Sequence, residues 1–202
     1  MAFRRSNPST HEFFDGHHRR EHWYRDNSIY FITARCREKF PAFETDEAKA
    51  IFWDRFNHYT RLHHFTPIIR TLMDNHYHAM GYAKIGAEIG EMMRKLHGSV
   101  AKLVNDILLQ RRIPFWGEGE HDDYMDGCLR DELQYRRTFR YIRLQAVKAG
   151  IVTDYRLYPH TIIDVPLDIG LRRALELKAF LETVPYHRYE KWRDRKSGRS
   201  ID

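Results

Sequence analysis

What most constrains this chain is the order in which two hydrophobic periods follow one another. Ile29 to Arg35 (I-Y-F-I-T-A-R) is β-branched and aromatic and reads as a strand. Thr45 then opens a helix. It supplies an N-cap hydroxyl with Asp46 and Glu47 in the first turn, and Ile51, Phe52, Phe56, Tyr59 and Leu62 recur at helical spacing. Pro67 closes that region. Ile68 to Met73 forms a second strand, Asp74-Asn75 a turn, and His76 to Tyr82 a third strand, so the two strands make a hairpin. Beyond Gly86 a helix is predicted over 87–111. Its apolar stripe is Ile89, Met92, Met93, Leu96, Val100, Leu103, Val104 and Ile107, and Pro114 stops it. Residues 115–128 read as loop with a short fourth strand around 121–126. Arg130 to Ala149 forms a last long helix, with Gly150 in the favoured C-cap place.

Strand, helix, strand, strand, helix, strand is the order of an α+β, ferredoxin-like βαββαβ antiparallel sheet with helices on one face. The additional helix over 130–149 must dock on the sheet or its edge. Three parts follow: a basic arm over 1–27, a domain over 28–152, and an extension over 153–202 with a short helix near 171–182 and a basic tail. The tail from Arg188 holds six Lys/Arg against three acids and reads as disordered or as a backbone clamp. Four histidines in the arm (His11, His17, His18, His22) have a spacing that fits no known metal site, and a solvated arm is the simpler reading.

The chain has 202 residues and a net charge of +6, most of it from arginine, which favours polyanionic partners. Twelve Tyr, twelve Phe and four Trp give stacking surface of the kind a single-strand binder uses, although any one ring is more at home in a core. No apolar run approaches the ~20 residues of a membrane span. Arg4 and Arg5 are not followed by an apolar segment, so no secretory signal is read at the start. Cys36 and Cys128 are far apart and imply no disulfide framework. The expected setting is a prokaryotic cytoplasm, in association with the nucleoid.

Two constellations carry chemistry. In His76-Tyr77-His78, strand alternation points both imidazoles to one face and Tyr77 to the other. Spaced about 7 Å apart along a strand, two imidazoles can converge on one cation. On the helix 130–149, turning 100° per residue puts Arg137, Tyr141, Gln145 and Lys148 in one stripe. Tyr135, Phe139, Ile142, Ala146 and Ala149 fall on another, the natural core face. Tyr141 is therefore free for other work, and Gln145 one turn on can reach what Tyr141 reaches. A phenol with an ordinary pKa near 10 needs a polarised phosphate to act as a nucleophile. A divalent ion held by His76, His78 and the Gln145 oxygen would polarise it. Arg35, Arg137, Arg140, Arg143 and Lys148 are the expected DNA-binding cations. No general base of obvious identity is visible, and no phosphate-cradling glycine loop is present.

The stretches M-D-N-H-Y-H (73–78), Phe115-Trp116 and R-Y-I-R-L-Q-A-V-K-A-G-I-V (140–152) resemble the single-tyrosine, His-hydrophobic-His transposases of small insertion sequences, and among them the REP-associated tyrosine transposases. The likeness runs from about Ile29 to Val152. It implies that His76 and His78 bind metal, Tyr141 is the nucleophile, and Gln145 is the third ligand. It also implies Mg²⁺ or Mn²⁺ as cofactor and single-stranded or hairpin DNA as substrate, cut to a 5′-phosphotyrosine and a free 3′-hydroxyl. No nucleotide cofactor and no membrane partner are implied, and the family includes monomers and dimers. Two positions depart from the family pattern. Asp74 stands where proline is usual, which would loosen the turn or place an acid near the metal. Ala146 also replaces a proline, which would let the tyrosine helix run unbroken to Gly150. Two other readings stay open: a catalytically silent module that binds structured DNA or RNA, and a phosphodiesterase in which water attacks.

Overall fold

In the computed structural model the main sheet is laid down by the segments with strand-like periods, and both of its faces are covered. The structure describes residues 5–7, 12–14, 21–117, 124–181 and 187–190. The strands are β1 (Arg5–Asn7), β2 (Glu12–Phe14), β3 (Glu21–Tyr24), β4 (Ser28–Arg35), β5 (Phe65–Leu72), β6 (His76–Ala83), β7 (Met125–Leu129), β8 (Thr161–Ile163) and β9 (His187–Glu190). The helices are α1 (Asp46–Leu62), α2 (Glu88–Ile107), α3 (Glu132–Arg143), α4 (Gln145–Lys148) and α5 (Leu167–Leu181). The five-stranded sheet runs β7-β4-β6-β5-β8, with every pairing antiparallel. Without β8, that is the ferredoxin-like arrangement expected from the element order.

The helices do not all lie on one face. Strand β4 carries apolar side chains on both sides, as does β6, and a sheet of that kind needs two covering layers. Ile32, Ala34, Tyr77 and Ala79 meet Phe52, Phe56, Met92 and Leu96 of α1 and α2. On the opposite face Ile29, Ile69 and Met80 meet Tyr135, Phe139, Ile142 and Leu171 of α3 and α5. The tyrosine helix thus roofs the second face. Helix α5 packs beside it through Gly170, where a Cβ would lie 2.0 Å from the Tyr135 hydroxyl.

Several boundaries differ from expectation for identifiable reasons. Strand β5 begins before Pro67, which sits at a bulge in a stretch that β8 does not reach. There its missing N–H costs no ladder bond. Helix α1 starts as expected, with Thr45 accepting from the Ala48 amide at 3.2 Å. Helix α2 stops at Ile107, not 111, and leaves Ile107 38% exposed. The side chain of Asn105 accepts from the Arg112 amide (2.7 Å) and donates to the Arg112 carbonyl (3.1 Å), which folds the chain back early. The fourth strand lies at 125–129, later than predicted, and residues 118–123 are outside those described.

The predicted helix 130–149 is two helices. Asp131 caps the first by accepting from the Gln134 amide at 2.8 Å. Leu144 (φ −97°, ψ 9°) breaks it. The absence of proline at Ala146 therefore does not give an unbroken helix. Gly150 (φ 71°) ends the second piece, with the Ile151 amide donating back to Ala146, so Ala149 is exposed and does not join the core stripe.

From the extension, β8 adds a strand to the edge of β5, and α5 begins earlier than predicted. The Tyr158 hydroxyl donates to the Leu72 carbonyl at 2.7 Å, and Asp164 grips Arg70 with two hydrogen bonds of 3.0 Å. In the expected arm, β1 pairs with β2 and β3 with β9, and Tyr24 is buried in the core. The remaining residues of the arm, the side chains of its four histidines, and the tail beyond Glu190 lie outside the described residues. Among the described residues, no helix is long and apolar enough to cross a membrane.

Candidate active site

The β5–β6 hairpin delivers the two imidazoles. Its tip is held by the neighbouring loops. The Cys36 amide donates to the Asn75 carbonyl at 2.7 Å and the Phe43 amide to the Asp74 carbonyl at 2.8 Å. Along β6, Tyr77 turns into the α1/α2 core, where its hydroxyl meets Nε2 of His97 at 3.1 Å. His76 and His78 turn to the α3 side, as alternation requires. Their ring centroids are 5.0 Å apart at 77°.

Helix α3 brings Tyr141 to the same place. Tyr135, Phe139 and Ile142 are buried as predicted, and they leave Tyr141 40% exposed at the edge of that face. Its ring lies 5.0 Å from that of His78, at 73°. Gln145 follows across the break at Leu144. Its Nε2 donates to the Tyr141 carbonyl at 3.1 Å, and its side chain lies beside His76. Lys148 places its ammonium 5.0 Å from the centroid of the Tyr141 ring.

Both imidazoles are biased toward the neutral form. His78, 5% exposed, is pushed down to about 3, first by burial and then by the charges of His76 and Arg35. His76 is also lowered, chiefly by burial and then by Arg35, while the neighbouring Gln145 side chain and the charge of Asp74 oppose the shift. Neutral imidazoles keep a lone pair, the form that binds a cation. Both ring nitrogens of His78 are buried without a hydrogen-bond partner. Each such atom ordinarily costs about 1–3 kcal/mol. Two imidazoles and a nearby amide, with buried nitrogens left over, fit a divalent ion. Among the described residues no three His, Cys, Asp or Glu side chains gather as a metal cage. A set of two imidazoles and one amide leaves coordination positions for substrate oxygens.

The expected DNA-binding cations separate. Arg35 lies opposite His76 in the β4–β6 pairing, and Lys148 stands at Tyr141. Arg137 and Arg140 are exposed on α3. Arg143 is half-buried instead, with its guanidinium 5.0 Å from the ring centroid of Tyr155. The Asp74 carboxylate pairs with Lys49 at 2.8 Å, while its charge still reaches His76.

Two residues of the site went unread in the sequence. Phe31 stacks on His78 (5.7 Å, 17°) and stands edge-on to Tyr141 (6.0 Å, 88°). Asn75 contacts Nδ1 of His76 through Oδ1 at 2.6 Å, while its Nδ2 donates to the Lys39 carbonyl at 3.0 Å. Phe31 shares strand alternation with Arg35, and that pattern was the available signal. Nothing in the sequence pointed to the Asn75 contacts.

No protein-family profile matches the chain, and no curated protein sequence does. Among solved structures, it is similar to a REP-associated tyrosine transposase bound to a REP hairpin. The identity is 16% over 74% of this chain and 85% of the other, with a TM-score of 0.60. A protein of Deinococcus radiodurans R1 described as a transposase aligns at 15% identity over 60% of this chain and 93% of the other. Its TM-score is 0.42, too low for comparing folds. The chain has the fold of the first, as the sequence resemblance implied.

Proposed function

We propose that this chain is a metal-dependent single-strand DNA endonuclease and strand transferase that acts on hairpin or single-stranded DNA, with Tyr141 as nucleophile. The observation that carries the reading is the meeting of Tyr141 with His78 and His76 at ring distances of 5.0 Å each step, with the Gln145 side chain bonded to the Tyr141 carbonyl and lying beside His76. A structural neighbour solved on a REP hairpin supports the choice of a hairpin substrate.

His76, His78 and Gln145 would hold Mn²⁺ or Mg²⁺, whose chemistry when bound is Lewis-acid polarisation of the scissile phosphate. Tyr141 supplies the attacking oxygen. As its bond to phosphorus forms, the phenol proton passes to solvent, which reaches the exposed ring, the bond from phosphorus to the 3′ oxygen breaks, and that oxygen takes a proton from solvent and leaves as a hydroxyl. The DNA is then held as a 5′-phosphotyrosine, which conserves the energy of the cut bond, so rejoining to another 3′-hydroxyl needs no nucleotide cofactor. Lys148 and Arg35 steady the negative charge that builds on the phosphate oxygens. Phe31 holds the His78 ring from behind. Arg137 and Arg140, exposed on the same helix as Tyr141, meet the DNA backbone further along. The setting proposed for this activity is a prokaryotic cytoplasm, near the nucleoid, with the chain as a monomer or a dimer.

The test mixes protein, Mn²⁺ and an end-labelled DNA hairpin and reads a denaturing gel. A protein–DNA adduct that disappears in Tyr141→Phe supports the reading. Cleavage that survives the substitution would assign the attack to water, and tight binding with no cleavage would make the chain a binding module.

A further inference from the structure

We propose that Asn75 is a positioning residue that fixes the tautomer of His76 and thereby selects Nε2 as the nitrogen this histidine offers to a divalent cation. The inference rests on the metal-site reading above and adds a determinant to it.

The orientation of the Asn75 amide is itself determined. Its Nδ2 meets the backbone carbonyl of Lys39 at 3.0 Å, and a carbonyl oxygen only accepts, so the amide nitrogen must be the atom on that side. The other amide atom, Oδ1, therefore faces Nδ1 of His76 at 2.6 Å. Oδ1 only accepts as well, so Nδ1 carries the proton. In a neutral imidazole the remaining nitrogen then holds the lone pair. Histidine free in water favours the opposite form, with its proton on Nε2, so this contact works against the intrinsic preference. The residue is held from a second side, because its own carbonyl accepts from the Cys36 amide at 2.7 Å. Lys39 is tied in turn, its amide donating to the Cys36 carbonyl at 3.1 Å. The loop after β4 thus reaches the imidazole through one side chain.

His78 has no comparable guide. Neither of its nitrogens has a hydrogen-bond partner, and its ring is placed by packing, stacked on Phe31 at 5.7 Å. The two imidazoles are set by different means, one by a directional bond and one by shape. Only the first can be altered without changing the aromatic packing. Outer partners of this kind orient ligating histidines and raise metal affinity.

The experiment uses the full chain and two readouts. Nitrogen-15 NMR of the metal-free protein reports which nitrogen of His76 is protonated, and titration with Mn²⁺ reports affinity. The unaltered chain should show Nδ1–H. Asn75→Ala should move His76 to mainly Nε2–H and weaken Mn²⁺ binding about tenfold, the low end for loss of an outer partner. Asn75→Asp keeps an accepting oxygen and should keep Nδ1–H. An unchanged tautomer in Asn75→Ala overturns the proposal, and so does a changed tautomer with unmoved Mn²⁺ affinity. Failure of the unaltered chain to bind Mn²⁺ would instead overturn the metal reading itself, while the NMR comparison would still decide whether Asn75 sets the tautomer.

Discussion

The rings of His78 and Tyr141 lie 5.0 Å apart at 73°, although one is carried by a central strand and the other by the helix that roofs it. Only one of the two belongs to the interior, since His78 is 5% exposed and Tyr141 40%. The difference separates their mutational effects. Tyr141→Phe should remove the covalent adduct yet change stability by no more than about 0.5 kcal/mol, the usual span for a surface substitution. A melting temperature within about 2 °C of the unaltered chain checks this.

His78 should behave in the opposite sense. Its two unpartnered nitrogens make it a poor core residue, so His78→Leu, similar in volume, should stabilise the metal-free chain by about 1–2 kcal/mol while ending cleavage. Thermal melts in the presence of a chelator should rise by several degrees. Hairpin binding should largely survive, because one ion acts on one phosphate and the arginines act on many. A lower melting temperature would show that this imidazole contributes more by packing than its bare nitrogens cost.

Arg137→Ala should weaken hairpin affinity and reduce the slope of log affinity against log salt by about 1. Affinities measured across a salt series provide the check. An unchanged slope removes Arg137 from the interface.

His97 gives a pH dependence. Buried against Trp116, with ring centroids 4.3 Å apart, it is pushed down to about 3 by burial. Unfolded, the same group titrates near 6.5. Between those values the unfolded chain binds a proton that the folded chain does not, so stability falls as pH drops from about 6.5 toward 3. The slope is at most about 1.4 kcal/mol per pH unit for this group. His78 adds to the same trend in the metal-free protein. Denaturant melts of His97→Phe between pH 4.5 and 6.5, above most carboxylate titration, should show a shallower fall than the unaltered chain.

Asp164→Ala tests how the C-terminal segment is tied to the sheet. Burial raises the Asp164 carboxyl more than Arg70 lowers it, so on the carboxylate side the pair does not repay its own desolvation. Removing the acid leaves Arg70 with its hydrogen bond to the Asn57 side chain and its stacking near Trp53 and Phe56 at 4.9 and 5.3 Å. A loss of about 1–2 kcal/mol is expected, between the values for an exposed and a buried pair, because Arg70 is buried while Asp164 is partly open to solvent. Chemical denaturation measures it.

Most of what places the site was readable from period alone. The alternation of His76, Tyr77 and His78, and the separation of Tyr141 from Tyr135, Phe139 and Ile142, follow from strand and helix geometry and survive in the structure. The rest depended on contacts distant in sequence. Asn105 reaches forward to Arg112 and ends α2 early, which no propensity at Leu108 signals. The three residues of β8 become a strand because Arg70 and Leu72 offer an edge and partners, and T-I-I alone is too short to announce it. The second helical layer was foreseen only as a helix in need of a place. The two-sided hydrophobicity of β4 and β6 gives it that place. Asp74 carries its charge to His76, but its ion pair with Lys49 of α1 depends on a contact distant in sequence that the turn alone does not announce.

Tyr77 has the last word on the geometry of its neighbours. Its phenol is fully enclosed, bonded to His97 and surrounded by Phe52, Phe56 and Trp116. A one-residue slip of that strand would have to drag this ring out to solvent and force imidazoles into an oily niche cut for it. The middle residue of the tripeptide therefore works as a key in a lock, and the alignment of the pair on either side is guaranteed by the most cohesive part of the molecule. Chemistry at the site can be lost or re-tuned by single substitutions such as those at Tyr141 and His78, whereas sliding the histidine pair out of register means melting the protein.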